Sequence, residues 1–127
     1  MQVPPQQLLE RLAPLERRYV ELEHQVAAQA SQGDSKTSQQ IWKELSDLRE
    51  LVMTFRTYRG VERDAEEAES IARAQVDQEM RELASEEALS LRQQQNALLR
   101  GLERLFRERH QVPERPILVE IRSGTGG

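Results

Sequence analysis

The chain has 127 residues, no cysteine and a formal net charge of −4 at pH 7, which fits one domain at most. The lack of cysteine excludes disulfides and thiol chemistry, and no apolar run approaches the roughly 18 residues that a membrane span needs. The negative charge argues against indiscriminate binding of nucleic acid by the whole molecule, and the cytoplasm is the expected location.

The first predicted helix spans roughly residues 5–31. Its apolar side chains recur at spacings of four and three, the pattern of one buried helix face. They are Leu8, Leu12, Leu15, Tyr19, Leu22 and Val26. Pro14 is expected to kink or restart this helix, because proline lacks a backbone donor. A helix breaker follows at residues 29–38, where Gly33 can supply the left-handed turn that ends a helix.

Two longer helices are predicted at residues 35–74 and 77–110. The stripe of the second is Ile41, Leu45, Leu48, Val52, Phe55, Tyr58, Val61, Ala65, Ala68 and Ile71 or Ala72. The stripe of the third is Met80, Leu83 or Ala84, Ala88, Leu91, Leu98, Leu102 and Leu105. Gly60 lowers local helix stability by roughly 1 kcal/mol relative to alanine, so a kink is expected there. Asp77 is a candidate N-cap.

Residues 1–111 are therefore predicted to be a helical arm, mainly α, in which long helices pack antiparallel as an elongated hairpin with the first helix alongside. Pro113 makes residues 112–116 a linker. Residues 117–127 change to β-branched side chains followed by a glycine-rich turn, which is typical of a strand. A lone strand cannot satisfy its own backbone, so this short C-terminal strand-like segment is predicted to begin a truncated sheet domain.

Charge divides the second half of the chain. Residues 62–87 hold ten acidic side chains against three arginines, and residues 92–115 hold six arginines against three glutamates. One interpretation is a solvated helix surface with intrahelical pairs such as Glu103–Arg107. The other is that the acidic and basic segments meet different partners, the basic one an RNA backbone. The candidate RNA-facing residues are Arg92, Arg100, Arg104, Arg107 and Arg109.

No catalytic, cofactor-binding or metal-binding residue is predicted, and the chain is not expected to be an enzyme. His24 and His110 are far apart in the sequence, and no cysteine accompanies them. The segment from Ser123 to Gly127 lacks the spacing and the lysine of a phosphate-binding loop.

Two motifs identify a family. They are Asp77-Gln-Glu-Met-Arg-Glu-Leu-Ala-Ser-Glu-Glu87 and Ile117-Leu-Val-Glu-Ile-Arg-Ser-Gly-Thr-Gly-Gly127. Together with the long helix and proline-containing linker between them, they resemble the class I peptide chain release factors of bacteria and organelles. Thr125 makes the turn similar to the factor that reads UAA and UAG. Ser123 departs from the family, which usually has alanine there.

The resemblance implies the N-terminal helical domain of such a factor, reaching toward the base of the ribosomal stalk and the neighbouring GTPase-factor region. The implied partners are ribosomal RNA, stalk-base proteins and a GTPase release factor, with no membrane, cofactor or small-molecule substrate. The location would be the cytoplasm or an organellar matrix or stroma. The family's codon-reading tripeptide and Gly-Gly-Gln hydrolysis loop are absent from this chain. The alternative is an unrelated coiled-coil module that self-associates through its apolar stripes.

Overall fold

The computed structural model describes residues 4–29 and 35–111. This part of the chain is made of three α-helices: α1 (Pro5–Gln29), α2 (Ser35–Ala74) and α3 (Gln78–Gln111). A helix rises about 1.5 Å per residue, so α2 is about 60 Å long. The prediction of a mainly α fold is confirmed.

The linker predicted at residues 112–116 and the strand-like segment predicted at residues 117–127 lie outside the described residues. The division into a helical arm and a following sheet domain therefore stays a prediction.

Asp77 begins α3 by capping it. Its side-chain oxygen accepts a hydrogen bond from the backbone N–H of Glu79 at 3.3 Å, and its carbonyl accepts one from the N–H of Arg81 at 3.0 Å. The Arg81 guanidinium donates to the carbonyls of Gln75 and Val76. These bonds satisfy groups that a helix end leaves without intrahelical partners, so the link between α2 and α3 can be very short.

α1 and α2 are continuous through Pro14, where a kink or a restart was expected, and through Gly60, where a kink was expected. α1 contains Pro14 in its interior, and α2 continues through Gly60. The predicted restart of α1 at Pro14 is wrong. Buried side chains on both sides of the proline, such as Leu12 and Tyr19, hold the helix against α2, and their packing offsets the one hydrogen bond that proline removes.

α2 is the central helix, because it packs against both α1 and α3. One buried cluster joins only α1 and α2: Tyr19, Leu22, Ile41, Leu45, Leu48 and Val52. A second cluster brings all three helices together: Leu8, Leu12, Leu51, Phe55, Tyr58, Leu102 and Phe106. The cluster that holds the earlier residues of α1 holds the later residues of α2, and the other cluster holds the reverse, so these two helices are antiparallel. We call α1 with residues 35–61 and 93–111 the proximal bundle.

Ion pairs fasten both flanks of α1 to α2. Glu16 accepts hydrogen bonds of 2.9 Å from both Arg56 and Arg59. Arg18 donates two hydrogen bonds, of 2.8 and 2.9 Å, to Glu44. Glu16 and Arg18 lie about 200° apart around α1, since an α-helix turns about 100° per residue. The buried stripe of α1 therefore has a charged contact on each side.

Beyond Tyr58, α2 and α3 continue as a pair that we call the distal hairpin, residues 62–92. Its buried side chains are all alanines: Ala65, Ala68, Ala84 and Ala88. Small side chains let two helices approach closely, but they bury little apolar surface.

Three large side chains are exposed in the distal hairpin: Met80, predicted for the buried stripe, and Ile71 and Leu83, predicted there only as alternatives to Ala72 and Ala84. Ile71 is 44% exposed, Met80 48% and Leu83 58%. The stripe prediction is wrong at Met80, whereas Ala84, the predicted alternative to Leu83, is buried and Ala72, the alternative to Ile71, is half-buried. Two helices in contact bury only a narrow seam, which small side chains fill. In the described part of the chain no third helix covers the flank of that seam.

Candidate functional surfaces

Three of the five candidate arginines form one outward surface on α3. Arg100, Arg104 and Arg107 have the spacing of a single helix face, and all three are exposed. The buried Leu102 and Phe106 are each two residues from Arg104, about 200° around the helix. Within the described residues these three arginines form no salt bridge. We call Arg100, Arg104 and Arg107 the arginine face.

Arg92 is placed differently, because its guanidinium holds α2 and α3 together. It donates hydrogen bonds of 2.9 and 2.7 Å to the two carboxylate oxygens of Glu69, and one of 2.6 Å to Gln95. The hydrogen bonds from Arg92 lower the pKa of Glu69. Gln95 in turn donates to the hydroxyl of Tyr58 at 3.2 Å. Arg92 is therefore part of an interhelical polar network.

Arg109 lies on the other flank of α3, about 200° around the helix from Arg107. It borders a groove of about 420 Å³ between α2 and α3, lined by Lys43, Asp47, Glu50, Leu51, Leu105, Glu108 and Arg109. Its charge also contributes, after the hydrogen bond from Arg18, to the lowered pKa of Glu44. Acidic and basic side chains are mixed here, so this groove does not extend the arginine face.

An acidic groove runs along one flank of the distal hairpin. It has a volume of about 170 Å³ and is lined by Asp64, Glu67, Ala68, Ile71, Glu87 and Leu91. We keep the name acidic groove for these six residues, of which three are carboxylates and none is a cation. Three acidic side chains of the segment 62–87 therefore lie together along one groove of the folded chain.

A second groove runs along the opposite flank of the distal hairpin. It is lined by Glu69, Ala72, Arg73, Ser85, Ala88, Leu89 and Arg92. Leu89 and Glu87 are two residues apart, so they point to opposite flanks of α3. Two arginines and one glutamate border this second groove, and its charge is mixed.

Within residues 4–29 and 35–111, no group of three or more His, Asp or Glu side chains is placed to hold a metal ion. Among the same residues, none of the helices is long and apolar enough to cross a membrane. His24 is exposed on α1.

Comparison with known proteins extends over nearly the whole chain. Residues 15–127 match the PCRF domain. A protein named peptide chain release factor 1 from Solidesulfovibrio magneticus is 37% identical over 117 residues, which are 92% of this chain and 32% of that protein. Proteins of the same name from Geobacillus sp. and Clostridium botulinum are 33% and 32% identical over 120 residues, 94% of this chain and 34% of theirs.

The chain thus spans about a third of the length of these curated relatives. No solved structure matches it significantly.

The described residues define a helical arm with separate basic and acidic surfaces. Because the domain match covers most of the sequence, the chain belongs to the PCRF domain family. The resemblance to class I release factors, first seen in the motifs at 77–87 and 117–127, is confirmed.

Proposed function

We propose that this chain is the N-terminal helical domain of a peptide chain release factor and acts in translation termination. The observation that carries the proposal is the alignment of more than nine-tenths of the chain with proteins named peptide chain release factor 1. The match to the PCRF domain supports it. The subtype that reads UAA and UAG, inferred from Thr125, is part of the same proposal, as is a location in the cytoplasm or an organellar matrix or stroma.

In this proposal the domain supplies ribosome contacts rather than chemistry, and it is not an enzyme. The chain contains neither Pro-x-Thr nor Gly-Gly-Gln, so codon reading and peptidyl-tRNA hydrolysis would belong to other parts of a release factor. An elongated domain, in which α2 is about 60 Å long, suits a contact far from those sites. The stalk base and the GTPase-factor region are the contacts that we propose, with a GTPase release factor as a further partner.

The arginine face is the proposed contact with ribosomal RNA. Arg100, Arg104 and Arg107 offer three guanidinium groups to solvent, and guanidinium groups bind phosphate oxygens well. Arg92 and Arg109 belong to the same candidate set that the sequence indicated. The bonds of Arg92 to Glu69 and Gln95 favour a structural role for it. Arg109 faces the mixed-charge groove.

Unrelated self-association through a coiled-coil seam is less well supported. The stripe residues that such a seam needs, among them Leu8, Leu22 and Leu48, are fully buried between helices of the same chain. Self-association would therefore require the three helices to come apart.

Co-sedimentation with ribosomes that carry a stop codon in the decoding site tests the proposed function. We expect the 127-residue chain to bind, and an intact release factor to displace it. No binding by a chain with a helical circular dichroism spectrum would contradict a ribosome contact by this domain.

Replacing Arg100, Arg104 and Arg107 together with glutamine tests the RNA contact. Affinity should fall, and the slope of log affinity against log salt should flatten by about 0.7 to 0.9 for each guanidinium that no longer neutralises a phosphate. The matched control replaces Arg17, Arg49 and Arg63, exposed arginines elsewhere, and changes the net charge equally. Equal losses in both triple variants would show an effect of net charge alone and would remove the arginine face as a site.

A further inference from the structure

Exposed apolar side chains concentrate on the distal hairpin and on the link at its tip. Of the eight large hydrophobic residues that are exposed in the described part of the chain, five lie between residues 71 and 89: Ile71, Val76, Met80, Leu83 and Leu89. Single exposed hydrophobics are common, but a cluster of them marks an interaction surface. The proximal bundle, although larger, exposes only three.

Most of this cluster shares a flank with the acidic groove. On α3, Met80 and Leu83 precede Glu87 by seven and four residues, a spacing that puts all three on one helix face. Glu87 lines the acidic groove together with Ile71 of α2. Val76, 90% exposed, lies in the link at the tip. The groove therefore opens at its tip end onto an apolar surface.

The charge of the groove restricts its occupant. Asp64, Glu67 and Glu87 line it without any cation, and the segment 62–87 carries ten acidic side chains against three arginines. RNA phosphate would be repelled. A second copy meeting the first groove to groove would bring like charges together, and like charges juxtaposed at an interface cost several kcal/mol.

An amphipathic helix is the shape that fits a groove between two helices. Its apolar side chains, at spacings of three and four, would reach Ile71, Met80 and Leu83. Lysine or arginine on its flanks would face the three carboxylates, and docking of such a helix in a groove is a recurrent mode of peptide recognition. Opposite charges at the rim of the interface would select it over an acidic helix.

We propose that the acidic groove binds a cationic amphipathic helix of a partner protein. The inference deepens the proposed function and rests on it for the setting, in which the partner is a basic protein at the ribosome. The two charged surfaces then have different partners: the arginine face contacts RNA, and the acidic groove contacts protein.

Titration with a fluorescent helical peptide tests the chemistry of the groove directly. The probe has leucines on one face and lysines on both flanks, and the control probe has glutamates in place of the lysines. Fluorescence anisotropy should show binding of the lysine probe only. Binding of both probes, or of neither, would overturn the proposal.

Two pairs of variants locate the binding. Leu83→Ser should weaken binding of the lysine probe about five- to tenfold, because a leucine anchor loses its apolar contact. Leu89→Ser is its control, since Leu89 is equally exposed (62% against 58%) but faces the opposite flank. Glu87→Gln should weaken binding about two- to fivefold, while Glu86→Gln, about 100° away on the same helix, should leave it unchanged. Equal effects within either pair would place the peptide elsewhere.

Ribosome co-sedimentation with the same four variants separates this inference from the proposed function. If the unaltered chain binds ribosomes and Leu83→Ser and Glu87→Gln bind as well as their controls, the groove is not the protein contact and the proposed function stands. If the unaltered chain does not bind, the proposed function fails, and the peptide titration decides the inference. All four residues are exposed, so the variants should unfold at the same urea concentration as the unaltered chain.

Discussion

The helices α2 and α3 run through both the proximal bundle and the distal hairpin, but the two regions are held together differently. In the proximal bundle, leucines and aromatic rings from three helices meet in one cluster. In the distal hairpin the buried side chains are alanines from two helices, and one bidentate ion pair, Arg92–Glu69, connects them. The packing between α2 and α3 therefore changes along their length, from a core of large apolar side chains to a narrow seam of alanines.

The difference shows how this fold separates stability from recognition. Large apolar side chains in the proximal bundle are buried, which contributes free energy of folding. In the distal hairpin Ile71, Met80 and Leu83 remain at the surface, where a partner can reach them. A segment held by few buried contacts also opens locally at lower cost than the rest of the molecule.

Truncation of Leu102 should have the largest effect on stability. Leu102 is fully buried in the three-helix cluster, so Leu102→Ala should lower the free energy of unfolding by about 2 to 5 kcal/mol. Urea unfolding followed by circular dichroism measures this. Leu89→Ala is the control on the same helix. At 62% exposure it should change the free energy by less than about 0.5 kcal/mol. Similar losses of unfolding free energy in both variants would mean that the proximal bundle and the distal hairpin do not differ in how their side chains contribute to stability.

Helical periodicity predicted the buried side chains of both regions, including Ala65, Ala68 and Ala88 of the distal hairpin, but it did not predict which large side chains there are exposed. Leu45, Leu48 and Leu102 are buried as their spacing indicates. The same spacing includes Met80, which is 48% exposed. Periodicity shows which side chains share a face, but not whether another helix covers that face. That depends on where α1 lies, which no local pattern encodes.

Alanine at Gly60 and Gly101 should have an intermediate effect of the opposite sign. Both glycines lie inside helices, and a Cβ added at either would meet no atom within 4 Å. Each substitution should therefore raise the free energy of unfolding by up to about 1 kcal/mol through helix propensity. The urea midpoints of the single and double variants measure it. A loss of stability would mean that the helices pack too closely at these glycines to admit a methyl group. The proximal bundle and the distal hairpin would then be divided at a different position.

The candidate sites were predicted in composition but not in geometry. The sequence indicated an acidic segment followed by a basic one; the three carboxylates of the acidic groove lie in the first, and the arginine face lies in the second. The sequence could not show that Arg92 is paired within the chain whereas Arg104 is exposed to solvent. The partner of Arg92 is Glu69, which lies on another helix, 23 positions away. Nor did the expected pair Glu103–Arg107 form within the described residues. The interhelical pairs, such as Glu16–Arg56, depend on the register of packed helices.

The smallest expected effect concerns the ion pair of the distal hairpin and its dependence on pH. The hydrogen bonds from Arg92 lower the pKa of Glu69 in the folded chain. The contribution of Glu69 to stability is therefore present above the ordinary glutamate pKa of about 4.3. It is lost as the pH falls below that value through the lowered pKa. Acid should thus loosen the distal hairpin at this pair.

Glu69→Gln should reproduce the loosening at neutral pH. Amide hydrogen exchange in residues 62–92, corrected for intrinsic rates, should be faster than in the unaltered chain at about pH 7, and the difference between the two chains should disappear as the pH falls through the lowered pKa of Glu69. Exchange near Leu48 in the proximal bundle should not change. Glu86→Gln, which removes an exposed carboxylate of the same hairpin, is the control. If it matches Glu69→Gln, the effect comes from the overall charge of the hairpin. The ion pair would then not be what holds the seam of alanines closed.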